Sequence, residues 1–321
     1  MKTQLNKRIL ILILCSSLPV LCMISLATVL NEPEIIFPET VALSIGAILA
    51  PKQPWKVRPL QMILLMAIYS TLGLCLVKYI PSDHTFGTYG RIIIALFLCE
   101  VGLIISKSTF YPLISSSILP ILMHTESWIY PLSAIGMTIF IVLVQKILSN
   151  TSYAQATPIN KELSTSQPGI LWLIRFLRIA IIAILPLLLH WNFCIAPPLI
   201  VAFMEITSKD SPLLSKRKQL LCLTFSCCFL GSFSRVIIQV VLHQSIILAT
   251  MITIFLVFVI MHKLHLYFPP AGALSLLCYI IPESALGWYP VQVAFGFLVL
   301  IVTAIMIQKV PSSDKENLIY D

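Results

Sequence analysis

Hydrophobic runs separated by brief polar punctuation fill almost the whole chain. In order they occupy residues 9–30, 35–50, 60–77, 92–106, 111–123 and 129–144. After a polar stretch they resume at 170–190, 193–204, 220–242, 245–261, 267–281 and 291–308. Four of them (35–50, 111–123, 193–204 and 267–281) are short and proline-headed, below the length of about 20 residues that spans a bilayer untilted. The others read as full membrane helices. The pattern therefore predicts an all-α fold, a polytopic transmembrane helical bundle of about 12 membrane segments. Residues 9–30 follow Lys2, Lys7 and Arg8 and resemble a secretory leader, but the apolar stretch is longer than the usual leader core, so it is read as an uncleaved first helix.

The polar stretch at 149–168 leaves six runs on either side, and landmarks recur across it. Trp128-Ile129-Tyr130-Pro131 answers Gly287-Trp288-Tyr289-Pro290, and Tyr111-Pro112 answers Phe268-Pro269. Pro38 with Val41-Ala42 answers Pro198 with Val201-Ala202. The offsets stay between 157 and 160 residues, which indicates a tandem duplication. The expected organisation is an N-terminal membrane repeat at 1–148, a cytoplasmic polar linker at 149–168, a C-terminal membrane repeat at 169–308 and a cytoplasmic tail at 309–321.

Composition agrees with the membrane reading: 58% of residues are hydrophobic, 11% are charged and the mean hydropathy is +0.96. The net charge of +8 is explained by its placement rather than by a nucleic-acid partner. If every run crosses, all of the 21 Lys and Arg fall on the side of the N-terminus except Lys78, Arg91 and the helix-embedded Arg235. That bias satisfies the positive-inside rule and puts both termini in the cytoplasm of a multi-pass cell-membrane protein. Six crossings per repeat make the two repeats parallel. The nine cysteines contain no C-x-x-C pair and sit mostly in apolar runs, where they read as small hydrophobes.

Candidate chemistry is sparse. Arg235, about 10 Å below the outer surface, would either hold an anion in its guanidinium fork or snorkel outward. Glu100, at mid-depth of its helix, is expected to pair with Arg235, to carry a coupling proton or to serve as a helix contact. Glu39 and Glu205 are expected to be solvated near the interfaces, and Arg175 to lie on the cytoplasmic side. His262 and His265 are spaced for a metal pair or for a plain interfacial role; no metal or other cofactor is expected. Phosphate loops and hydrolase motifs are missing, which disfavours an ATP-driven or hydrolytic enzyme.

The stretch YFPPAGALSLLCYIIPESALGWYP, residues 267–290, carries the most specific signal. Its Pro269-Pro270-Ala271-Gly272-Ala273 resembles the His-Pro-Pro-Ala-Gly-Ala signature of the HPP family of integral membrane proteins, with Phe268 in place of the histidine. Upstream, Ala196-Pro197-Pro198 through Phe203, then Ser211-Pro212-Leu213, resemble that family's small-residue helix and loop. The resemblance implies nitrite transport, an activity associated with relatives of the family. Proline-headed short segments at matching places in two halves also point to a transporter site. The substrate-binding candidates are Arg235, Glu100, Pro269, Pro270, Ala271, Gly272, Pro197 and Pro198. The expected function is a secondary transporter or channel for a small solute, most plausibly a small inorganic anion such as nitrite. The alternative is a membrane-embedded enzyme or accessory subunit of a membrane complex. The lipid bilayer and a small-molecule or ion substrate are the expected partners, with a homo-oligomer possible.

Overall fold

The computed structural model describes residues 2–81, 85–151, 169–208 and 211–308. Twelve α-helices occur among them: α1 Lys2–Leu30, α2 Glu39–Ser44, α3 Pro59–Tyr79, α4 Thr85–Ile105, α5 Pro112–Met123 and α6 Ile129–Ser149. They continue with α7 Gly169–Leu188, α8 Pro197–Ile206, α9 Arg217–Ser234, α10 Ile246–Lys263, α11 Pro269–Leu277 and α12 Tyr289–Gln308. Two of them run on as wider π-turns, α2 over Ile45–Leu49 and α9 over Arg235–Val241. No strand occurs among the described residues. Most of the expected linker and all of the expected tail lie outside those residues, as do Lys161, Lys209 and Lys315.

Length and burial divide the helices into two kinds. α1, α3, α4, α6, α7, α9, α10 and α12 are long and apolar enough to cross a membrane. They turn apolar stripes outward: Leu10, Leu14 and Leu18 on α1, or Leu173, Leu177, Ile181 and Leu185 on α7, are all exposed at a four-residue repeat. A soluble helix would bury such a stripe; an outward one faces lipid. The four short helices are the reverse. Every residue of α2, α8 and α11 is buried, and so is α5 from Pro112 to Ile121. They form the centre of a bundle whose long helices meet the bilayer.

Local sequence explains how the short helices begin. Pro112, Pro197-Pro198 and Pro269-Pro270 occupy first-turn positions, where a missing N–H costs no intrahelical bond and the fixed φ suits the helix. Helix exits are often marked by a residue in the left-handed region, among them Asn31 after α1, Lys107 after α4, His190 after α7 and His265 after α10. Such a residue closes the last turn and lets the chain reverse.

The two halves interleave. Within the first half α3 packs on α5 and α6, and α4 on α5; within the second, α9 packs on α11 and α12, and α10 on α11. Across halves α1 lies on α10 and α7 on α4, while α2 lies on α11 and α8 on α5. Two glycines permit the tightest of these contacts. A Cβ on Gly73 would run into the Ser117 carbonyl, and one on Gly231 into the Ser275 carbonyl. Two buried tyrosines brace the short helices: Tyr130 donates to the Ser116 carbonyl and Tyr289 to the Leu274 carbonyl, each at 2.8 Å.

Candidate functional site

The first turns of the four short helices meet around one small void. Each helix contributes residues three apart, which lie on one face: Glu39 and Ala42 from α2, Pro112 and Ser115 from α5, Pro198 and Val201 from α8, Pro270 and Ala273 from α11. Pro269 and the indole of Trp55 complete the lining. The void measures about 10 Å³, close to the room that one water needs.

Helix ends of this kind offer potential without donors. The N-terminus of a helix carries a partial positive charge, and α5, α8 and α11 all set their first turns beside the void. Prolines take the leading positions, and the next amides are already used, Leu199 on the Ala196 carbonyl, Ala271 on that of Phe268 and Ile114 on that of Tyr111. The void therefore lies beside three positive helix ends but is poor in free N–H groups.

Glu39 supplies the matching charge. It was expected to be solvated and is instead 1% exposed. Pro38 follows a buried segment, Ile35 to Phe37, that carries the chain inward before α2 starts. One carboxylate oxygen accepts the Ser115 hydroxyl; the other is buried with no hydrogen-bond partner. Glu205, also expected in solvent, is buried near the end of α8 and accepts the Trp55 indole N–H at 2.8 Å. Trp55 itself is fully buried, edge-on to Phe110, although Pro51, Lys52 and Pro54 beside it are exposed. It plugs the bundle between the void and the end that carries the 51–58 loop.

A second polar cluster lies nearby. Arg175 was expected among surface cations and is 2% exposed. Its guanidinium donates to the Thr207 carbonyl beyond the end of α8 and is hydrogen-bonded to Tyr111, the residue before Pro112. Glu100 is buried, and the cation within electrostatic range of it is Arg175 rather than Arg235. Arg235 turns inward rather than snorkelling, and donates to the Cys278 and Ile281 carbonyls beyond α11. Arg91 treats the end of α3 in the same way, on the Val77 and Ile80 carbonyls.

Of the residues singled out from sequence, Pro198, Pro269 and Pro270 line the void. Pro197, Ala271 and Gly272 are buried beside it, Gly272 against Val41 and Ile45 of α2. Glu100 and Arg235 stand apart from the lining. His262 bonds the Tyr267 hydroxyl at 2.7 Å, with His265 edge-on to it, and no group of three metal-binding side chains occurs among the described residues. Trp55, Ser115 and Arg175 were missed. A carboxylate in the first turn of an apolar run, and an arginine inside one, are the signals that could have found Glu39 and Arg175, because charges are rarely buried without a task.

The geometry of α8 and α11 agrees with what comparison with known proteins finds. Residues 160–317 match the family model described as HPP, transmembrane region. This half of the chain is an HPP transmembrane region. It contains α7 to α12, hence the Pro198, Pro269 and Pro270 side of the void, whereas Glu39, Trp55, Tyr111 and Ser115 lie before it. No curated protein and no solved structure matches the chain.

Proposed function

We propose that this HPP-family membrane protein is a secondary transporter for a small solute, with a small inorganic anion such as nitrite as the best-fitting substrate. The observation that carries the reading is the void at the meeting point of four short helices. Short, proline-interrupted helices whose N-termini converge are how many carriers hold a solute away from lipid. Three electropositive ends suit an anion, and a compact one suits the space. With room for about one water, the void is a resting conformation, and passage of nitrite requires the short helices to part.

The carrier is built, in this reading, from two parallel six-helix repeats, 1–148 and 169–308. Its support is the recurrence of detail at one offset. The contact of Gly73 with Ser117 and that of Gly231 with Ser275 are both 158 residues apart in number. The Tyr130–Ser116 bond has its counterpart in Tyr289–Leu274, and the left-handed Asn31 and Lys107 theirs in His190 and His265. The helix pairings obey the same shift: replacing each helix by the one six later turns α3 on α5 into α9 on α11, and α2 on α11 into α8 on α5. The lining pairs likewise, Glu39 and Ala42 with Pro198 and Val201, Pro112 and Ser115 with Pro270 and Ala273.

Purified protein in proteoliposomes is expected to take up nitrite faster than protein-free vesicles. A screen in which no small anion moves would end the transporter reading. Both termini are assigned to the cytoplasm from the basic loops, so a cysteine at Lys52 and one at Ser149 should be labelled from the cytoplasmic side alone. Labelling of Lys52→Cys from outside would make the short runs re-entrant and end the parallel-repeat argument.

A further inference from the structure

Among the described residues Glu39 is the one acidic residue lining the void, where an anion would have to sit. Its ionised form and a bound anion would be two like charges within a few ångströms in a low-dielectric core, an arrangement that proteins avoid by protonation. No cation among the described residues lines the void to relieve the clash. The groups that face Glu39 are the Ser115 hydroxyl from α5 and, within electrostatic range, the Tyr130 phenol from α6, whose O–H is already given to the Ser116 carbonyl. From α1 comes the thioether of Met23, which contacts Phe37 and Thr40, and α11 presents prolines and alanine. A metal cation could not take the place of a proton, since it requires a shell of several oxygens. The lining holds only two oxygen-bearing side chains, Glu39 and Ser115. One carboxylate oxygen, buried and without a partner, suffices for a proton.

We propose that Glu39 is the proton-binding site that couples this carrier to pH: the void takes up one proton on Glu39 together with one monovalent anion, and releases both on the other side. When empty, the ionised carboxylate answers the three helix ends; when loaded, the anion answers them and Glu39 is neutral. Each cycle moves one proton and one negative charge in the same direction, so transport is electroneutral. The inference rests on the transporter reading above.

Two measurements separate it from that reading. Nitrite added to the purified protein in weakly buffered detergent solution should be accompanied by uptake of about one proton per chain, the linkage expected when binding forces one group to protonate. Glu39→Gln should abolish the uptake. Ser115→Ala, which keeps the carboxyl and removes its hydrogen bond, should retain it but displace the pH at which it occurs. Nitrite binding without proton uptake, an uptake unchanged in Glu39→Gln, or a pH profile unmoved in Ser115→Ala would each overturn the inference. In proteoliposomes, an inward proton gradient should drive nitrite accumulation and an imposed membrane potential should not. Accumulation driven by the potential alone would leave a transporter standing and remove Glu39 as its coupling site.

Discussion

The two sides of the central void each present a pair of short helices and are filled with opposite chemistry. On the α2–α5 side Glu39 accepts the Ser115 hydroxyl; on the α8–α11 side the positions facing the void are Pro198 and Ala273. The contrast continues one step further out. Tyr111, before the proline of α5, joins Arg175 and the Thr207 carbonyl, with Glu100 close by. Phe268, before the prolines of α11, is fully buried and stacks on Phe297. In the lining itself the HPP half contributes prolines and small residues, whereas the Glu39 carboxyl and the Ser115 hydroxyl come from before it; Arg175 and Glu205, in the polar groups around the void, belong to the HPP half.

The most severe way to break this asymmetry is to remove the charge at its centre. Arg175→Met would leave Glu100 buried without the cation that acts on it and free the Thr207 carbonyl and the Tyr111 hydroxyl of their partner. A loss of about 3 kcal/mol is expected, the low end for deleting one member of a buried charge pair, because Glu100 faces Arg175 at long range. Thermal unfolding in detergent measures it. Adding Glu100→Gln should recover part of the loss, since the orphaned charge is then gone. If Arg175→Met melts with the wild type, the cluster contributes nothing and the contrast with Phe268 is one of appearance.

The architecture was legible in the sequence because the bilayer enforces it. Helices that face lipid must be long and apolar, and the four runs that were too short became α2, α5, α8 and α11 with prolines at or just before their first turns. The site was legible only in its backbone features. Pro198, Pro269 and Pro270 are read directly from a local string, whereas the neighbours of Glu39 are set by contacts with residues far along the chain, such as Ser115. Hydropathy also misplaced Glu39, Glu205 and Arg175 for one common reason. A charge near the end of an apolar run looks interfacial in one dimension, but the chain before α2 is itself buried from Ile35 to Phe37, Thr207 beyond Glu205 is buried too, and Arg175 is covered by α8 and Tyr111.

A smaller effect tests the shared plan rather than the difference. At Gly73 and Gly231 the obstacle to a side chain is a backbone carbonyl, which cannot swing aside. Alanine at either position should cost about 1–3 kcal/mol, the range for overpacking a tight contact, and the two costs should be alike. At Gly272 the obstacles are the side-chain ends of Ile45 and Val41. Gly272→Ala should accordingly be the mildest of the three and Gly272→Leu much worse, with insertion in the membrane retained by all. A free Gly73→Ala beside a costly Gly231→Ala, in the same thermal assay, would mean that the two halves do not share their packing.

The smallest effect comes from exchanging the two aromatic residues that precede the prolines. Tyr111→Phe removes one hydroxyl from a guanidinium that keeps its bond to the Thr207 carbonyl and its attraction to Glu100, so the loss should be about 1.5 kcal/mol, the low end for a hydrogen bond to a charged group. Phe268→Tyr introduces the same hydroxyl beside the Phe297 ring. Burying it there without a partner should cost about 1–3 kcal/mol, more than the deletion at Tyr111. The two changes thus reverse the usual expectation that losing a hydrogen bond hurts more than gaining a polar group. Melting temperatures of both variants decide it. If Phe268→Tyr is neutral, the pocket around Phe268 contains an acceptor or a water, and the second side of the void is polar after all. The contrast between Tyr111 and Phe268 would then fail at the residue on which it is most visible.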